Sequence, residues 1–255
     1  MDEMTKLTAR AAETILGFAS DGPVRSKPDG SPVTDADEAA EAVICDGLRR
    51  LAPGVPIISE EQAARESSTA IARGSYFLVD PLDGTREFIA GRDEYTVNIA
   101  LMTDGAPMLG IIGAPALGEF WCGIVGTGAG RISATATDRP TPIRTRPRSA
   151  SEPVVMVSRS HLEARTRAYV DGLRGAKLVQ CGSSIKFCRL AEGAADLYPR
   201  LAPTRDWDVA AGHAILAAAG GCVVAPDGGP IVYGSKDLRI PAFIASGDRT
   251  TAIDS

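Results

Sequence analysis

The sequence predicts an α+β first half built on an antiparallel sheet, residues 1–150, joined to a mixed α/β second half, residues 151–255. Three observations carry this. Residues 96–102, 108–114 and 119–125 are apolar, β-prone runs separated by Asp104-Gly105 and by residues 115–118, the spacing of strands linked by hairpins. From Val154 onward, strand-like and helix-like runs alternate, as they do in α/β units. Between the two patterns, residues 135–153 are rich in Thr, Pro, Arg and Ser and have no apolar period, which sets the boundary there.

The elements follow in order. Leu7, Ala11, Ile15 and Phe18 recur at helical spacing, so a first helix with one apolar face ends near Asp21-Gly22-Pro23. Residues 27–37 form a turn-rich surface segment that hands over to a helix from about Asp35 to Leu51, whose first-turn acids Asp35 and Asp37 complement the positive helix end. Residues 56–59 read as a short strand with Glu60-Glu61 at its exit, and residues 62–75 lack periodicity and read as a mobile connection. A buried strand then runs to Asp80, where Pro81 and Gly84 break it, and residues 86–89 begin a helix that stops at Gly91. Asn98 faces the sheet, and Phe120 and Trp121 serve the core. In the second half, strands at 154–158, 177–181, 195–198 and 222–225 alternate with helices at 162–173, 185–192 and 209–219. That alternation places loops at strand C-termini, a common place for ligands. His213 lies in an apolar helix and reads as a core histidine, and the tail to Ala245 supplies a turn and closing strands.

Composition narrows the function classes. With 44% hydrophobic and 23% charged residues over 255 positions, the chain is globular, neither disordered nor membrane-embedded. Asp2 and Glu3 replace the basic start of a signal peptide, and no apolar stretch reaches membrane-spanning length. The five cysteines are odd in number and form no Cys-x-x-Cys pair, and Cys45, Cys122 and Cys222 lie in apolar runs, which fits reduced thiols and a cytoplasmic location. Two histidines and no thiol cluster argue against zinc. A net charge of -5 disfavours a nucleic acid polymer and leaves room for a small phosphorylated metabolite, whose charge metals and a few local basic residues can meet.

The chain is organised around Tyr76-Phe77-Leu78-Val79-Asp80-Pro81-Leu82-Asp83-Gly84-Thr85. Two carboxylates three residues apart sit where an apolar strand opens into a turn. Bare anions there cost several kcal/mol each unless paired or coordinated, and hard oxygen ligands of this kind suit magnesium. The turn also bends the Leu82 carbonyl toward them. On these residues alone a helix-capping role stays open, with Asp83 or Thr85 as the cap. Farther on, Gly182-Ser183-Ser184 opens a helix, with Lys186 one turn in, where free N–H groups attract anions. Ser158-Arg159-Ser160-His161 and Tyr198-Pro199-Arg200 end strands nearby in the pattern. Each of these also has a plain reading as a helix cap or a surface charge.

The Asp80 to Thr85 string, preceded by Ile57-Ile58-Ser59-Glu60-Glu61 and followed by Trp207-Asp208, resembles the metal motifs of the lithium-sensitive phosphatases. That superfamily includes inositol monophosphatase, fructose 1,6-bisphosphatase and 3'(2'),5'-bisphosphate nucleotidase. Gly182-Ser183-Ser184-Ile185-Lys186-Phe187-Cys188 and Ala194-Ala195-Asp196-Leu197-Tyr198-Pro199-Arg200 resemble its bacterial CysQ-type nucleotidases. The resemblance implies a layered αβαβα sandwich and a phosphatase that uses two or three Mg2+ ions. It implies that Glu60, Asp80 and the Leu82 carbonyl hold the first ion and that Asp80, Asp83 and Asp208 hold the second. Glu60 is implied in catalysis too, together with Asp37 and Thr85, a pair that orients and deprotonates the attacking water. Asp83, Gly84, Thr85 and Asp208 would also touch substrate, and His161, Ser183, Lys186 and Arg200 would grip the phosphate that is not cleaved.

The implied reaction is hydrolysis of adenosine 3',5'-bisphosphate, a by-product of sulfate activation and sulfonation, to AMP with no phosphoenzyme. Inositol monophosphates and fructose 1,6-bisphosphate are the alternatives within the superfamily. An inactive metabolite-binding regulator is the alternative of another class, disfavoured because all four carboxylates and Thr85 are present. A homodimer is left open. Where family members carry a Gly-Asn-Gly-Glu-Phe-like stretch, this chain has Gly91-Arg92-Asp93-Glu94-Tyr95, a departure that bears on substrate choice.

Overall fold

A seven-stranded and a five-stranded sheet, separated and flanked by helices, make up the computed structural model, which describes residues 2–65, 74–133, 139–149, 151–160 and 162–248. The chain begins with α1 (Asp2–Leu16), the hairpin strands β1 (Val24–Ser26) and β2 (Pro32–Thr34), and α2 (Asp35–Leu51). Next come β3 (Ile57–Ser59), α3 (Glu60–Arg65), β4 (Ser75–Asp83) and α4 (Thr85–Ile89). The strands β5 (Thr96–Thr103), β6 (Ala106–Ala114), β7 (Glu119–Ile124), β8 (Gly128–Ser133) and β9 (Thr141–Ile143) follow. The second half opens with β10 (Val154–Ser158), α5 (Ala164–Asp171), β11 (Lys177–Cys181), α6 (Ile185–Ala191) and β12 (Leu197–Arg200). It closes with β13 (Thr204–Arg205), α7 (Asp206–Ala218), β14 (Cys222–Val224), β15 (Arg239–Ile240) and β16 (Phe243–Ser246).

The larger sheet runs β3-β4-β5-β6-β7-β8-β9, with β3 parallel to β4 and the remaining pairs antiparallel. The smaller runs β11-β10-β12-β16-β14, with β10 parallel to both its neighbours and β16 antiparallel to its own. Alternation along β4 shows why this sheet is covered on both faces. Phe77 and Val79 pack against Leu7, Ile15, Ile44 and Leu48 of α1 and α2, whereas Tyr76 and Leu78 turn to the opposite side. There they join Trp121, Phe187, Ile215, Leu216, Tyr198 and Phe243, so α6 and α7 fill the space between the two sheets. Val170 of α5 covers the far side of the smaller sheet with Val155, Val157, Leu197 and Ile244. The order is α, β, α, β, α, the layered sandwich the resemblance implied.

Small residues let α7 lie close to the strands. A Cβ at Gly110 of β6 would fall 2.2 Å from the Ala211 carbonyl oxygen, and one at Gly123 of β7 would fall 2.8 Å from the Ile215 Cα. The larger core draws on both halves of the chain.

The fold departs from the sequence reading at a few places. Phe18 lies beyond α1 and is 39% exposed. Pro81 does not end its strand, because β3 pairs only as far as Val79 and leaves the Pro81 side of β4 without a ladder partner, and a register shift between Asp80 and Asp83 absorbs the irregularity. β8 and β9 form where no strand was expected, β9 inside the stretch taken as the boundary. Of the connection expected over 62–75, α3 takes the first part, β4 takes Ser75, and residues 66–73 lie outside the described residues. All five cysteines are free thiols. Among the described residues no helix is long and apolar enough to cross a membrane.

Candidate active site

Parallel pairing of β3 and β4 brings Glu60 and Asp80 out at the same edge, Glu60 as the first residue of α3 and Asp80 opposite Asn98 of β5. Asp80 is 2% exposed, and its Oδ1 accepts the Leu82 N–H at 3.1 Å. Gly84 then takes a left-handed φ of 95° and caps α4, so neither Asp83 nor Thr85 is spent as the helix cap. The Asp83 carboxylate is left for the cleft, with Oδ2 accepting Ser184 Oγ at 2.7 Å and lying 3.5 Å from Asn98 Nδ2. Asp208 enters from the second half on the first turn of α7. The cap of that helix is Arg205, and Asp208 Oδ2 accepts the Arg205 N–H at 3.1 Å and the Thr204 hydroxyl.

Glu60, Asp80, Leu82, Asp83 and Asp208 line one cleft of about 240 Å³ with Gly84, Thr85, Ser183, Lys186 and Arg200. Burial first, and then repulsion from neighbouring carboxylates, makes Glu60, Asp80 and Asp208 reluctant to ionise. The Asp80 carboxyl is pushed well up by burial and by the charges of Glu60, Asp83 and Asp208. Asp208 rises through burial and Asp83, and Glu60 rises through burial, Glu61 and Asp208 against the opposing pull of Lys27. Lys27 reaches in from the β1–β2 hairpin with its ammonium 2.6 Å from both Glu60 Oε1 and Glu61 Oε1. Burial disfavours that ammonium charge, but the two carboxylates more than compensate and raise its pKa.

Among the described residues no three Asp, Glu, His or Cys side chains are gathered closely enough to hold a metal ion as they stand. Glu60 is drawn to Lys27 and Asp208 to Thr204 and the Arg205 amide. The donors are nonetheless all hard oxygens that repel one another, and an oxygen-ligated divalent cation is the species that relieves that repulsion. The set fits such an ion.

Beside the acids, Thr85 Oγ1 lies 3.0 Å from Asp37 Oδ1 and 3.2 Å from the Leu82 carbonyl. Asp37 Oδ2 accepts both the Thr34 N–H at 2.8 Å and the Thr34 hydroxyl at 2.6 Å. Burial pushes the Asp37 carboxyl up, and those hydrogen bonds hold part of the rise back. In the same cleft, Ser183 has a φ of 42°, and its buried Oγ and the buried Nε of Arg200 have no hydrogen-bond partner. Lys186 is 2% exposed; its ammonium donates to the Cys181 carbonyl at 3.2 Å and to that of Ser183, and sits 5.0 Å from the centre of the Tyr198 ring.

Residues 2–252 match the inositol monophosphatase family. The chain belongs to that family. It is 42% identical over 252 residues to the 3'(2'),5'-bisphosphate nucleotidase CysQ of Escherichia coli K12, covering 96% of this chain and 99% of that one. Among solved structures, CysQ from Bacteroides thetaiotaomicron superposes with a TM-score of 0.78 at 34% identity, covering 96% of this chain and 95% of that one. The inositol monophosphatase from Anabaena gives the same TM-score at 25% identity, covering 100% and 92%. The chain is therefore a phosphatase of this superfamily, in which metal dependence is general.

In this phosphatase, Glu60, Asp80, Asp83, Asp208, Thr85, Ser183, Lys186 and Arg200, separated widely in sequence, share one cleft, and Asp37 meets it through Thr85. His161 lies outside the described residues. Arg159, noted for its place after a strand, is spent on Glu94. Sequence reading placed Ser184 in an anion-attracting turn but missed its role beside the acids, where it ties Asp83 to the Asp208 carbonyl 3.1 Å away and accepts Asn98 Nδ2 at 2.8 Å. The signal was Asn98, a lone amide in an apolar strand. Lys27 was missed too; a lysine opening a turn-rich segment has no local mark of the carboxylates it meets.

Proposed function

We propose that this phosphatase removes the 3'-phosphate of adenosine 3',5'-bisphosphate to give AMP, with magnesium as its metal. The observation that supports this best is that the cleft holds, besides its four carboxylates, the unpartnered Ser183 Oγ and Arg200 Nε. A substrate with two phosphates uses both sets of groups. The CysQ relatives, aligned over nearly their full length, favour the same substrate. Residues 1–150 would carry most of the metal ligands and residues 151–255 the grip on the second phosphate. The five free thiols accord with a cytoplasmic setting.

Glu60, Asp80, the Leu82 carbonyl, Asp83 and Asp208 would hold the ions. When bound, magnesium supplies charge neutralisation for the phosphoryl group and acidifies water. The chain's own part in proton transfer falls to Thr85 and Asp37. With its hydrogen turned toward Asp37, Thr85 Oγ1 has a lone pair free to accept a proton from the attacking water. Desolvation increases the proton affinity of Asp37, which lets it take the threonine proton in turn. Ser183 and Arg200 donate to the phosphate that stays.

Phosphate release from adenosine 3',5'-bisphosphate, inositol 1-phosphate and fructose 1,6-bisphosphate, with and without magnesium, tests the reading. The bisphosphate should be preferred and turnover should require the metal, while Asp83→Asn should abolish turnover and keep its circular dichroism. Preference for inositol phosphate would overturn the substrate, and a near-parental Asp83→Asn would overturn the metal assignment.

A further inference from the structure

The loop between α4 and β5, Gly91-Arg92-Asp93-Glu94-Tyr95, crosses from the first half to the second through Glu94. Both oxygens of Glu94 are engaged by one guanidinium, since Oε2 accepts Arg159 Nε and Oε1 accepts Arg159 Nη2, each at 2.8 Å. Such a two-point pair fixes orientation as well as distance. Oε2 also accepts the Gly182 N–H at 2.9 Å, and Arg159 Nη2 donates to the Gln180 carbonyl at 3.2 Å. The end of β11 and the start of the Gly182-Ser183-Ser184 turn are thereby held by one ion pair. Glu94 and Arg159 line a separate cavity of about 690 Å³ rather than the catalytic cleft.

Packing enforces the same arrangement. A Cβ at Gly182 would lie 2.5 Å from the Glu94 carbonyl oxygen and 2.9 Å from the Glu94 Cβ. On the other side, a Cβ at Gly84 would lie 3.2 Å from that same Glu94 oxygen and 3.4 Å from the Ser183 Cβ. The turn of the metal motif, the Glu94 loop and the Ser183 turn are in direct contact. Ser183 is held at a φ of 42°, which a residue with a Cβ resists unless its surroundings impose it. Its Oγ is buried and unpartnered at the cleft wall.

We propose that Glu94 is a positioning residue for the second-phosphate subsite. With Arg159 it holds the Gly182–Ser184 turn in the conformation that presents Ser183 Oγ, and so sets the preference for a bisphosphate over a monophosphate. The inference rests on the bisphosphate reading of the cleft. It also gives Glu94, the glutamate of the departed Gly-Asn-Gly-Glu-Phe-like stretch, a role that needs no contact with substrate.

The test compares adenosine 3',5'-bisphosphate with 3'-AMP, which lacks the second phosphate, on the parent, Glu94→Ala, Glu94→Gln and Arg159→Lys. Glu94→Ala should raise KM for the bisphosphate roughly tenfold, the scale of one charge-assisted contact, with kcat within about twofold. Its kcat/KM for 3'-AMP should stay within about twofold of the parent. Glu94→Gln, which still accepts the Gly182 N–H, should recover part of the loss. Amide exchange over residues 182–186 should quicken in Glu94→Ala while α7 stays protected. Unchanged KM and exchange would overturn the proposal, as would an equal loss with both substrates together with a lower melting temperature. A parent that prefers neither substrate would overturn the bisphosphate reading instead, and the exchange measurement would then decide alone whether Glu94 holds the turn.

Discussion

Replacing Gly110 with alanine tests whether the seat of α7 on the sheet sets the position of Asp208. The added Cβ would stand 2.2 Å from the Ala211 carbonyl oxygen and 3.0 Å from the Ala211 Cα, where ordinary contact begins at 3.4 Å. Both are backbone atoms and cannot rotate aside, so strand and helix must part by about 1 Å, an overpacking that costs about 2 to 3 kcal/mol. For a chain of this size that lowers the melting temperature by roughly 4 to 12 °C. Ala211 lies three residues from Asp208 on the same helix, so the displacement reaches the carboxylate nearly undiminished. Misplacing a catalytic ligand by about 1 Å can cost on the order of 10² in rate. Thermal melts and kcat at 25 °C on Gly110→Ala should show both losses. Met108→Ala, on the same strand at a side chain 37% exposed, should show neither. A Gly110→Ala enzyme with a lowered melting temperature and parental kcat would break the link from helix seat to ligand, and one unchanged in both would refute the packing argument.

Thr85→Val removes the hydroxyl between the cleft and Asp37, and should lower kcat by roughly 10² to 10⁴ in steady-state assays with KM little altered. Near-parental turnover would take the Thr85–Asp37 pair out of the mechanism. His213, whose Nδ1 lies 2.9 Å from the Tyr233 hydroxyl, has its pKa held down to about 4 by burial. An unfolded histidine titrates near 6.5, so this contribution to stability is full above that pH and is lost as pH falls toward 4, by at most about 3 kcal/mol. Urea melts at pH 7 and 4.5 should therefore show a smaller acid loss in His213→Gln than in the parent, and equal losses would remove His213 from the acid response.

The layers were legible wherever burial writes a period into the chain. Leu7, Ala11 and Ile15 mark one helix face, and α2 runs from Asp35 to Leu51 as the pattern indicates, because each element meets a continuous apolar surface. β8 and β9 were not legible, since Gly128-Ala129-Gly130 and Thr141-Pro142-Ile143 have little strand character of their own and are ordered by pairing to an existing edge. The same division holds in the site. Asp80 and Asp83 stand out because carboxylates ending an apolar run demand compensation. Ser184 acts through Asp83, 101 residues away, and Glu94 through Gly182, 88 residues away, separations at which no local pattern can announce a partner.

The strength of that demand differs among the four acids, and the difference explains the arrangement of the cleft. Glu60 has the Lys27 ammonium at 2.6 Å. Asp208 lies in the first turn of α7, where its carboxylate meets the Arg205 amide and the positive end of the helix. Asp83 accepts the Ser184 hydroxyl, itself steadied by Asn98. Asp80, itself buried, is favoured as an anion by the Leu82 N–H at 3.1 Å, while Glu60, Asp83 and Asp208 all oppose its charge. The least compensated carboxylate is thus the one that feels the charge of all three others, and it is the one proposed to hold both ions. A strand that runs on past Asp80 to Asp83, beside a helix that begins at Glu60, sets three partly neutralised acids around one that is not, the charge distribution expected to draw a divalent cation to Asp80.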